Sequence, residues 1–276
     1  IHAAEWNVMG HKRMTEKSVV LTASESGTTP EVLEAVKKMK EKGIRVYAMT
    51  KPEGLIGQAV GAENCVKMAS DHGNGGCEMG YYIADCFGLR LLNRRGCFPQ
   101  FDKFIEQTKD VWTHLVDIRK SFEPRAEELA KKYALAPYTM FIGSGAVGET
   151  ILFSMCILEE MQWKRTRYIT SADFFHGTLE LVEPGVPVFL FMGEDENRKL
   201  DERVRAFLNR GVTGDTDINI IDTAEFAIPG LDDEFRVIVS PWILSSLDPY
   251  DRLAAYYETV TKHNLNYRRY YHQFDY

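Results

Sequence analysis

A strand, a glycine turn and a long apolar helix between residues 138 and 162 constrain the fold of this chain more than any other stretch. Residues 138–142 (Tyr-Thr-Met-Phe-Ile) form a short β-prone apolar run, which is typical of a buried parallel strand. Gly143 and Ser144 begin the turn, where glycine lets the backbone bend sharply and approach a ligand closely. The helix-prone residues from there to about Gln162 are almost wholly apolar. We therefore expect a helix that is buried against a large neighbour, with a return strand after it.

Two acids end this apolar helix where it should still be covered. Glu159 and Glu160 are adjacent, and His176 follows sixteen positions after Glu160, between Phe175 and Gly177. A carboxylate and an imidazole with apolar flanks suit acid–base catalysis. Spacing alone leaves open a solvated glutamate and a hydrogen-bonded core histidine.

Strand and helix patterns alternate along the rest of the chain, and this spacing indicates right-handed parallel crossovers. The other predicted strands are residues 18–23, 45–50, 64–69, 186–192, 217–222 and 236–239. The other predicted helices are residues 30–42, 78–92, 101–132 with a break near Pro124, 197–210 and 242–263. We predict an α/β fold with a first half over residues 1–100, a helical connector over 101–136 and a second half over 137–276.

Composition excludes several classes of function. The net charge of −7 and the sequence pI near 5.6 argue against a nucleic-acid or anionic-membrane surface. The five cysteines are an odd number without a CxxC pair, which fits reduced thiols in a cytoplasmic protein. We find no apolar run long enough to span a membrane, no signal peptide and no metal-ligand spacing.

The loop after the first predicted strand has the features of an anion site. Ser24, Ser26 and Thr29 place hydroxyl groups before a helix, and Pro30 suits the first helical position. Hydroxyl groups and amides that converge on the positive end of a helix can bind an anion, although ordinary helix capping explains the same residues. Glu25 would repel an anion unless its side chain points away or meets a cation.

Three segments of the second half carry a family resemblance. Residues 160–163 (Glu-Met-Gln-Trp), 174–177 (Phe-Phe-His-Gly) and 182–187 (Val-Glu-Pro-Gly-Val-Pro) resemble the sugar isomerase (SIS) family, and within it the fructosamine-6-phosphate deglycases. The likeness continues to the terminal residues 268–271 (Arg-Arg-Tyr-Tyr) and covers essentially the whole chain. It implies two sugar-isomerase-like halves, each a parallel sheet sandwiched by helices, of which the first lacks the family's opening helix and strand.

The resemblance also implies an activity. Such an enzyme hydrolyses a fructosamine phosphorylated at position 6 into glucose 6-phosphate and a free amine or amino acid, without a metal or an organic cofactor. Glu160 would move a proton between C1 and C2, and an apolar surround would help it to exchange that proton near neutral pH. His176 would assist ring opening from the neighbouring subunit, so we expect a homodimer or a larger homo-oligomer with sites at the subunit interface.

The family's phosphate loop corresponds to Ser24, Ser26 and Thr29. Further substrate-binding candidates come from the same resemblance and are Glu25, Gly143, Ser144, Asp173 and Arg269. Asp173 stands where the family commonly has glutamate, so it could alter substrate choice without removing the chemistry.

Two other classes of function stay open. An aldose–ketose isomerase, or the isomerising half of an aminotransferase, shares the proton transfer but differs in whether an amine leaves. A non-catalytic sugar-phosphate regulator uses the same scaffold and would have no need of Glu160.

Overall fold

The computed structural model describes residues 1–66, 77–145, 147–211, 214, 216–247, 253–271 and 273–274. The chain divides into two compact units, one of residues 1–75 and 79–88 and one of residues 76–78 and 89–276. Each unit has a parallel sheet with helices packed on it, which confirms the predicted α/β class. The division of the chain near residues 100 and 136 stays a prediction.

The first unit contains a three-stranded parallel sheet in the order β1-β2-β3, formed by β1 (Val19–Ala23), β2 (Arg45–Met49) and β3 (Cys65–Val66). Its helices are α1 (Ala3–Met9), α2 (Pro30–Glu41) and α3 (Leu55–Val60), and α4 (Cys77–Arg94) runs through residues of both units. The strands predicted at 18–23 and 45–50 are confirmed. Residues 67–69 of the third predicted strand lie outside the described residues.

The core of the first unit lies between its sheet and its helices. Val36 and Met39, three positions apart on α2, pack in one cluster with Trp6 of α1 and Ile56 of α3. This spacing is one face of an amphipathic helix, so α2 is held by its apolar side. The helix therefore presents its first turn at the carboxyl end of β1.

The second unit contains a four-stranded parallel sheet in the order β5-β4-β6-β7. The strands are β4 (Tyr138–Ser144), β5 (Arg165–Ile169), β6 (Val188–Met192) and β7 (Ile218–Asp222). Every residue of β6, and all of β4 after its first residue, is buried. The predicted buried parallel strand at 138–142 is confirmed, as is the return strand.

Helices cover both faces of this sheet. They are α5 (Phe101–Thr108), α6 (Val111–Tyr133), α7 (Val147–Ile151), α8 (Glu160–Gln162), α9 (Ser171–Phe174), α10 (Arg198–Leu208), α11 (Asp233–Leu247) and α12 (Leu253–Thr261). Met140 and Leu190 share a core cluster with Phe174 of α9. Phe141 faces the other way, as strand alternation requires, and meets the ring of Phe153 with 5.2 Å between centroids.

Two predictions about secondary structure are wrong. Residues 236–239 are not a strand but part of α11, because Phe235, Val239, Trp242 and Ile243 are buried at helical spacing. The predicted break near Pro124 is also absent, since α6 runs from Val111 to Tyr133 with the proline inside it. A continuous buried stripe on α6 holds the helix together through the proline.

No helix among the described residues is long and apolar enough to cross a membrane.

Candidate functional site

The loop between β1 and α2 is a compact arrangement of hydroxyl groups. Ser24 is buried, and its Oγ lies 2.8 Å from Oγ1 of Thr29. The Oγ of Ser26 accepts hydrogen bonds from the backbone N–H of Thr28 at 3.2 Å and from its hydroxyl at 3.0 Å. Thr29 stands at the N-cap of α2, but its side chain makes no capping bond because it turns toward Ser24. The first amides of α2 are therefore left without side-chain capping, at the positive end of a twelve-residue helix.

The shape of this loop depends on one glycine. Gly27 has a φ of +68°, and its carbonyl accepts a hydrogen bond from the N–H of Ile56 at 2.9 Å. A Cβ at this position would lie 3.1 Å from Oγ1 of Thr50. Glu25 is exposed, so its side chain points away from the buried side of the loop.

In the second unit, the two adjacent acids follow an unusual helical segment. Residues Leu152–Glu159 form a π-helix between α7 and α8, and Glu160 is the first residue of α8. π-Helical turns are rare and often occur at functional sites. The segment changes the rotation between successive side chains, so the positions of Glu159 and Glu160 do not follow from α-helical geometry.

Glu160 is paired with a cation. Nε of Arg268 donates to Oε1 of Glu160 at 3.0 Å, and the two side chains are 18% and 28% exposed. The prediction of an apolar surround for Glu160 is therefore wrong.

Glu159 is not the solvated acid that an α-helix would predict. It is half-buried, and its carboxylate accepts a hydrogen bond from the hydroxyl of Thr166 on β5. Cys156 lies close to both acids. Burial raises the pKa of the Cys156 thiol, and the charges of Glu160 and Glu159 raise it further.

The glycine turn after β4 is held by a buried carboxylate on α10. The N–H of Ser144 donates to Oδ1 of Asp201 at 3.0 Å, and the hydroxyl of Ser171 donates to the same oxygen at 2.5 Å. Ser144 in turn accepts a bond from the N–H of Ser171 at 3.1 Å. Burial raises the pKa of Asp201 to about 6. Gly143 is required by packing, because a Cβ there would lie 2.8 Å from Oγ1 of Thr150.

Asp173 and His176 lie together on the turn that follows β5. The hydroxyl of Thr170 accepts from the N–H of Asp173 at 3.0 Å and donates to its carboxylate at 2.9 Å, so Asp173 takes part in capping α9. The N–H of His176 donates to the carbonyl of Asp173 at 2.9 Å. The imidazole of His176 is exposed, and within the described residues it makes no side-chain hydrogen bond. The structure thus brings His176 next to Asp173, but it records no contact between His176 and Glu160.

Arg269 packs on Trp163, the residue that follows α8. Its guanidinium lies 4.3 Å from the ring centroid of Trp163. The ring of His263 also contacts Trp163, with 4.4 Å between the two ring centroids. Arg268, its neighbour, makes the contact with Glu160, and a sequence pattern of two adjacent arginines does not distinguish them.

Sequence reasoning assigned no role to Arg268, Asp201 or Thr166. Arg268 belongs to residues 268–271, which carry part of the family resemblance, and this was the signal available for it. Among the described residues, no group of three His, Cys, Asp or Glu side chains is arranged to hold a metal ion.

Solved structures define the class of fold to which this chain corresponds. A Bacillus subtilis protein assigned to the phosphosugar isomerases superposes with a TM-score of 0.89 at 25% identity, over 99% of this chain and 82% of that one. The C-terminal domain of glucosamine-fructose-6-phosphate aminotransferase from Francisella tularensis shares the fold, with a TM-score of 0.68 at 15% identity over 95% of this chain and 77% of that one. The chain therefore has the fold of the sugar isomerase family. No protein-family model matches it.

Sequence relatives indicate which members of the sugar isomerase family this chain is similar to. The chain is 28% identical over 264 residues to fructosamine deglycase FrlB of Bacillus subtilis (strain 168), which covers 94% of this chain and 77% of the relative. It is 26% identical over 265 residues to fructoselysine 6-phosphate deglycase of Escherichia coli (strain K12), covering 94% and 72%. The resemblance to the sugar isomerase family, and within it to the fructosamine deglycases, is confirmed. These relatives support an enzyme of this family.

Proposed function

We propose that this protein hydrolyses 6-phosphorylated fructosamines to glucose 6-phosphate and a free amine or amino acid. The observation that carries the proposal is Glu160, a half-buried carboxylate held by Arg268, in a chain that is similar over 94% of its length to two deglycases. Proton transfer requires a positioned acid of this kind, whereas a non-catalytic regulator can bind its sugar phosphate without one.

The reaction needs one proton moved between adjacent carbons of the open-chain sugar. Glu160 takes the proton from C1 while the C2 carbonyl oxygen gains a proton from solvent, which gives an enolamine. Glu160 then returns its proton to C2 while the amine nitrogen loses a proton to solvent, which gives an aldimine. Water then adds to the aldimine carbon and the amine leaves, so that an aldehyde remains at C1. One carboxylate can serve both transfers because they occur on neighbouring atoms.

The phosphate of the substrate is bound in this proposal by Ser24, Ser26 and Thr29. The absence of a capping bond from Thr29 supports it, since the first amides of α2 can donate to an anion. The exposed side chain of Glu25 removes the objection that an acid in this loop would repel phosphate. Gly143, Ser144, Asp173 and Arg269 are secondary candidates for contacts with the substrate.

His176 is proposed to assist ring opening in the active site of a partner subunit within a homodimer. Its exposed imidazole supports a role toward a group outside its own turn. In a heterodimer of a Glu160→Gln chain and a His176→Ala chain, one of the two sites would keep both residues. We expect about half of wild-type activity from this heterodimer, although each variant alone is inactive. Purified heterodimers without activity would mean that each site uses the His176 of its own chain.

A panel of phosphorylated fructosamines tests the proposal directly. The protein is incubated with 6-phosphorylated fructosamines of several amino acids, and both glucose 6-phosphate and free amine are measured. Equal release of both products supports a deglycase. Interconversion of glucose 6-phosphate and fructose 6-phosphate without amine release would identify an isomerase, and binding without turnover would identify a sugar-phosphate regulator.

A further inference from the structure

The C-terminal segment of the described chain makes a specific contact with the proposed general base. Arg268 reaches Glu160 across 108 positions of sequence, with Nε donating to Oε1 at 3.0 Å. Its Nη1 donates to the carbonyl oxygens of Leu265 at 2.6 Å and Tyr267 at 3.0 Å. The guanidinium is therefore held by the backbone of its own segment, and only Nε is directed to the carboxylate.

The same segment also holds the residues that follow Glu160. The side-chain amide of Gln162 donates to the carbonyl of His263 at 2.9 Å and accepts from the hydroxyl of Thr261 at 2.9 Å. The ring of Trp163 contacts both the ring of His263 and the guanidinium of Arg269, which lie 4.4 and 4.3 Å from its centroid. Three of the four residues at the end of this helix thus contact residues 261–269.

The backbone at this helix end is strained. Trp163 has a φ of 55°, in the left-handed region that bulky residues seldom adopt. Such a conformation persists where the surroundings hold it, and it occurs often at functional sites. The contacts of the Trp163 ring with His263 and Arg269 supply that support, so the segment fixes the helix end as well as the carboxylate.

Arg268 donates to one oxygen of the Glu160 carboxylate, and the other oxygen takes no part in this contact. Within the described residues, Oε1 of Glu160 accepts from Arg268, whereas Oε2 makes no hydrogen bond. A bidentate pair would occupy both oxygens. The observed arrangement fixes the direction of the carboxylate and keeps one oxygen for a further proton.

We propose that Arg268 is a positioning residue for the proton transfer, which rests on the deglycase function proposed above. Arg268 holds Oε1 of Glu160 so that Oε2 takes the C1 proton and returns it to C2, and the guanidinium loses no proton in either step. Cys156 and Glu159 on the preceding π-helix are also close to Glu160, since the charges of both acids act on the Cys156 thiol. Among the described residues, Arg268 is the cation that pairs with the Glu160 carboxylate.

Two substitutions separate charge from geometry. Arg268→Met keeps the aliphatic stem and removes every donor, whereas Arg268→Lys keeps the charge without the planar fork. Arg205→Met is the matched control, because it removes a guanidinium that is 39% exposed on α10. Melting temperatures of all three variants show whether the fold is retained.

The first measurement is the pH dependence of kcat and KM with a phosphorylated fructosamine that the enzyme turns over. We expect Arg268→Met to lower kcat at pH 6 by at least about tenfold, with KM within about twofold of wild type. The acid limb of its profile should move to higher pH, and Arg268→Lys should restore part of the loss. A profile parallel to that of wild type would reduce the contact to a structural anchor, and a rise in KM alone would make Arg268 a substrate ligand; either result overturns the proposal.

The second measurement does not need turnover. Carboxyl carbons of glutamate are labelled with ¹³C, the resonance of Glu160 is assigned by its loss in Glu160→Gln, and its chemical shift and line width are compared between variants at one pH. The resonance should move and broaden in Arg268→Met, and it should match that of wild type in Arg205→Met. An unchanged resonance in Arg268→Met refutes the role of Arg268 even if the enzyme is a deglycase. Failure of wild type on the whole substrate panel refutes the proposed function and leaves the Arg268–Glu160 coupling measured on its own.

Discussion

Each unit has a loop that joins a five-residue parallel strand to a helix, and the two loops differ in chemistry. Residues 24–29 follow the five-residue strand β1 and lead into α2, and residues 193–197 follow the five-residue strand β6 and lead into α10. The loop after β1 carries mainly hydroxyl side chains. The loop after β6 carries three consecutive acids, Glu194, Asp195 and Glu196.

The acidic loop is stabilised by ion pairs inside its own unit. Arg236 donates to both oxygens of Glu194 at 2.6 and 2.7 Å, and both side chains are largely buried. Arg198, the first residue of α10, pairs with Asp222 at the end of β7 at 2.6 Å. These pairs hold the start of α10 against the sheet. A phosphate bound at this loop would be repelled by the negative charges of its acids. The same strand–loop–helix arrangement therefore carries either hydroxyl groups, where we propose an anion site, or an ion-paired set of acids. Its position in the fold does not decide which of the two is present.

The comparison implies that changes in the two units have different kinetic effects. If the hydroxyl loop of the first unit binds phosphate, its variants should change KM. If the second unit carries the proton transfer, a change at its acid should lower kcat. Three substitution experiments test this difference between the two units.

The largest effect is expected at Glu160. Glu160→Gln keeps the shape and an acceptor for Arg268 but removes the base, so kcat should fall by about a hundredfold or more with KM little changed. Steady-state kinetics with a phosphorylated fructosamine measure both constants. Glu159→Gln is the control, because the amide oxygen can still accept from Thr166, and it should stay within a few-fold of wild type.

If Glu159→Gln lowered kcat and Glu160→Gln did not, the base would be Glu159, which is half-buried as well. If neither substitution lowered kcat, the proton-transfer mechanism would be refuted and the regulator would become the better interpretation.

Much of the fold was predictable because it depends on local patterns. The buried run at 138–142 and the Thr29-Pro30 helix start are signals within a few residues, and both occur where predicted. The strand predicted at 236–239 failed because a short β-branched run was read without the wider helical spacing of α11. Propensity over four residues is a weak guide when tertiary packing of a longer segment opposes it.

The candidate site was predictable only in part. Glu160 and His176 came from residues close in sequence, whereas Arg268 reaches Glu160 from 108 positions away. The π-helix before Glu160 has no sequence signature of its own, because its register is set by the packing of Phe153 and Ile157 in the core. Contacts of this kind require the three-dimensional arrangement.

The next effect concerns the hydroxyl loop. The triple alanine variant of Ser24, Ser26 and Thr29 should raise KM for a phosphorylated substrate by at least roughly tenfold, or about 1.4 kcal/mol of binding free energy. The reason is loss of the hydroxyl donors before α2, with kcat largely retained. The matched control in the other loop is Glu196→Ala, which alters an exposed acid and should leave KM unchanged.

Ser24 is buried, so the melting temperature of the triple variant must accompany its kinetics. A folded triple variant with wild-type KM would break the comparison, because the hydroxyl loop would then be a capping structure. A rise in KM for Glu196→Ala would also contradict the comparison, because the acidic loop would then take part in substrate binding.

The smallest effect tests the helix that follows the acidic loop. Asp201 on α10 is fully buried, and its Oδ2 has no hydrogen-bond partner among the described residues, whereas Oδ1 accepts from Ser144 and Ser171. Burial is the largest cause that raises its pKa from 3.8 to about 6. The native state therefore holds this proton to higher pH than the unfolded chain does, so the group's contribution to stability falls as pH rises from near 4 to near 6.

Asp201→Asn removes the titration and keeps an oxygen that can accept from both Ser144 and Ser171. Since about one pH unit separates pH 5 from the native pKa, wild type should lose about 1.4 kcal/mol of unfolding free energy relative to the variant between pH 5 and pH 8. Urea unfolding at both pH values measures this difference, and using the difference cancels the other titrating groups. Parallel pH dependence in the two proteins would show that Asp201 is already ionised at pH 5, held by its two donors. In that case the Asp201 carboxylate that holds Ser144 would be buried in its charged form. The two units would then differ in the side chains of their helices as well as in those of their loops.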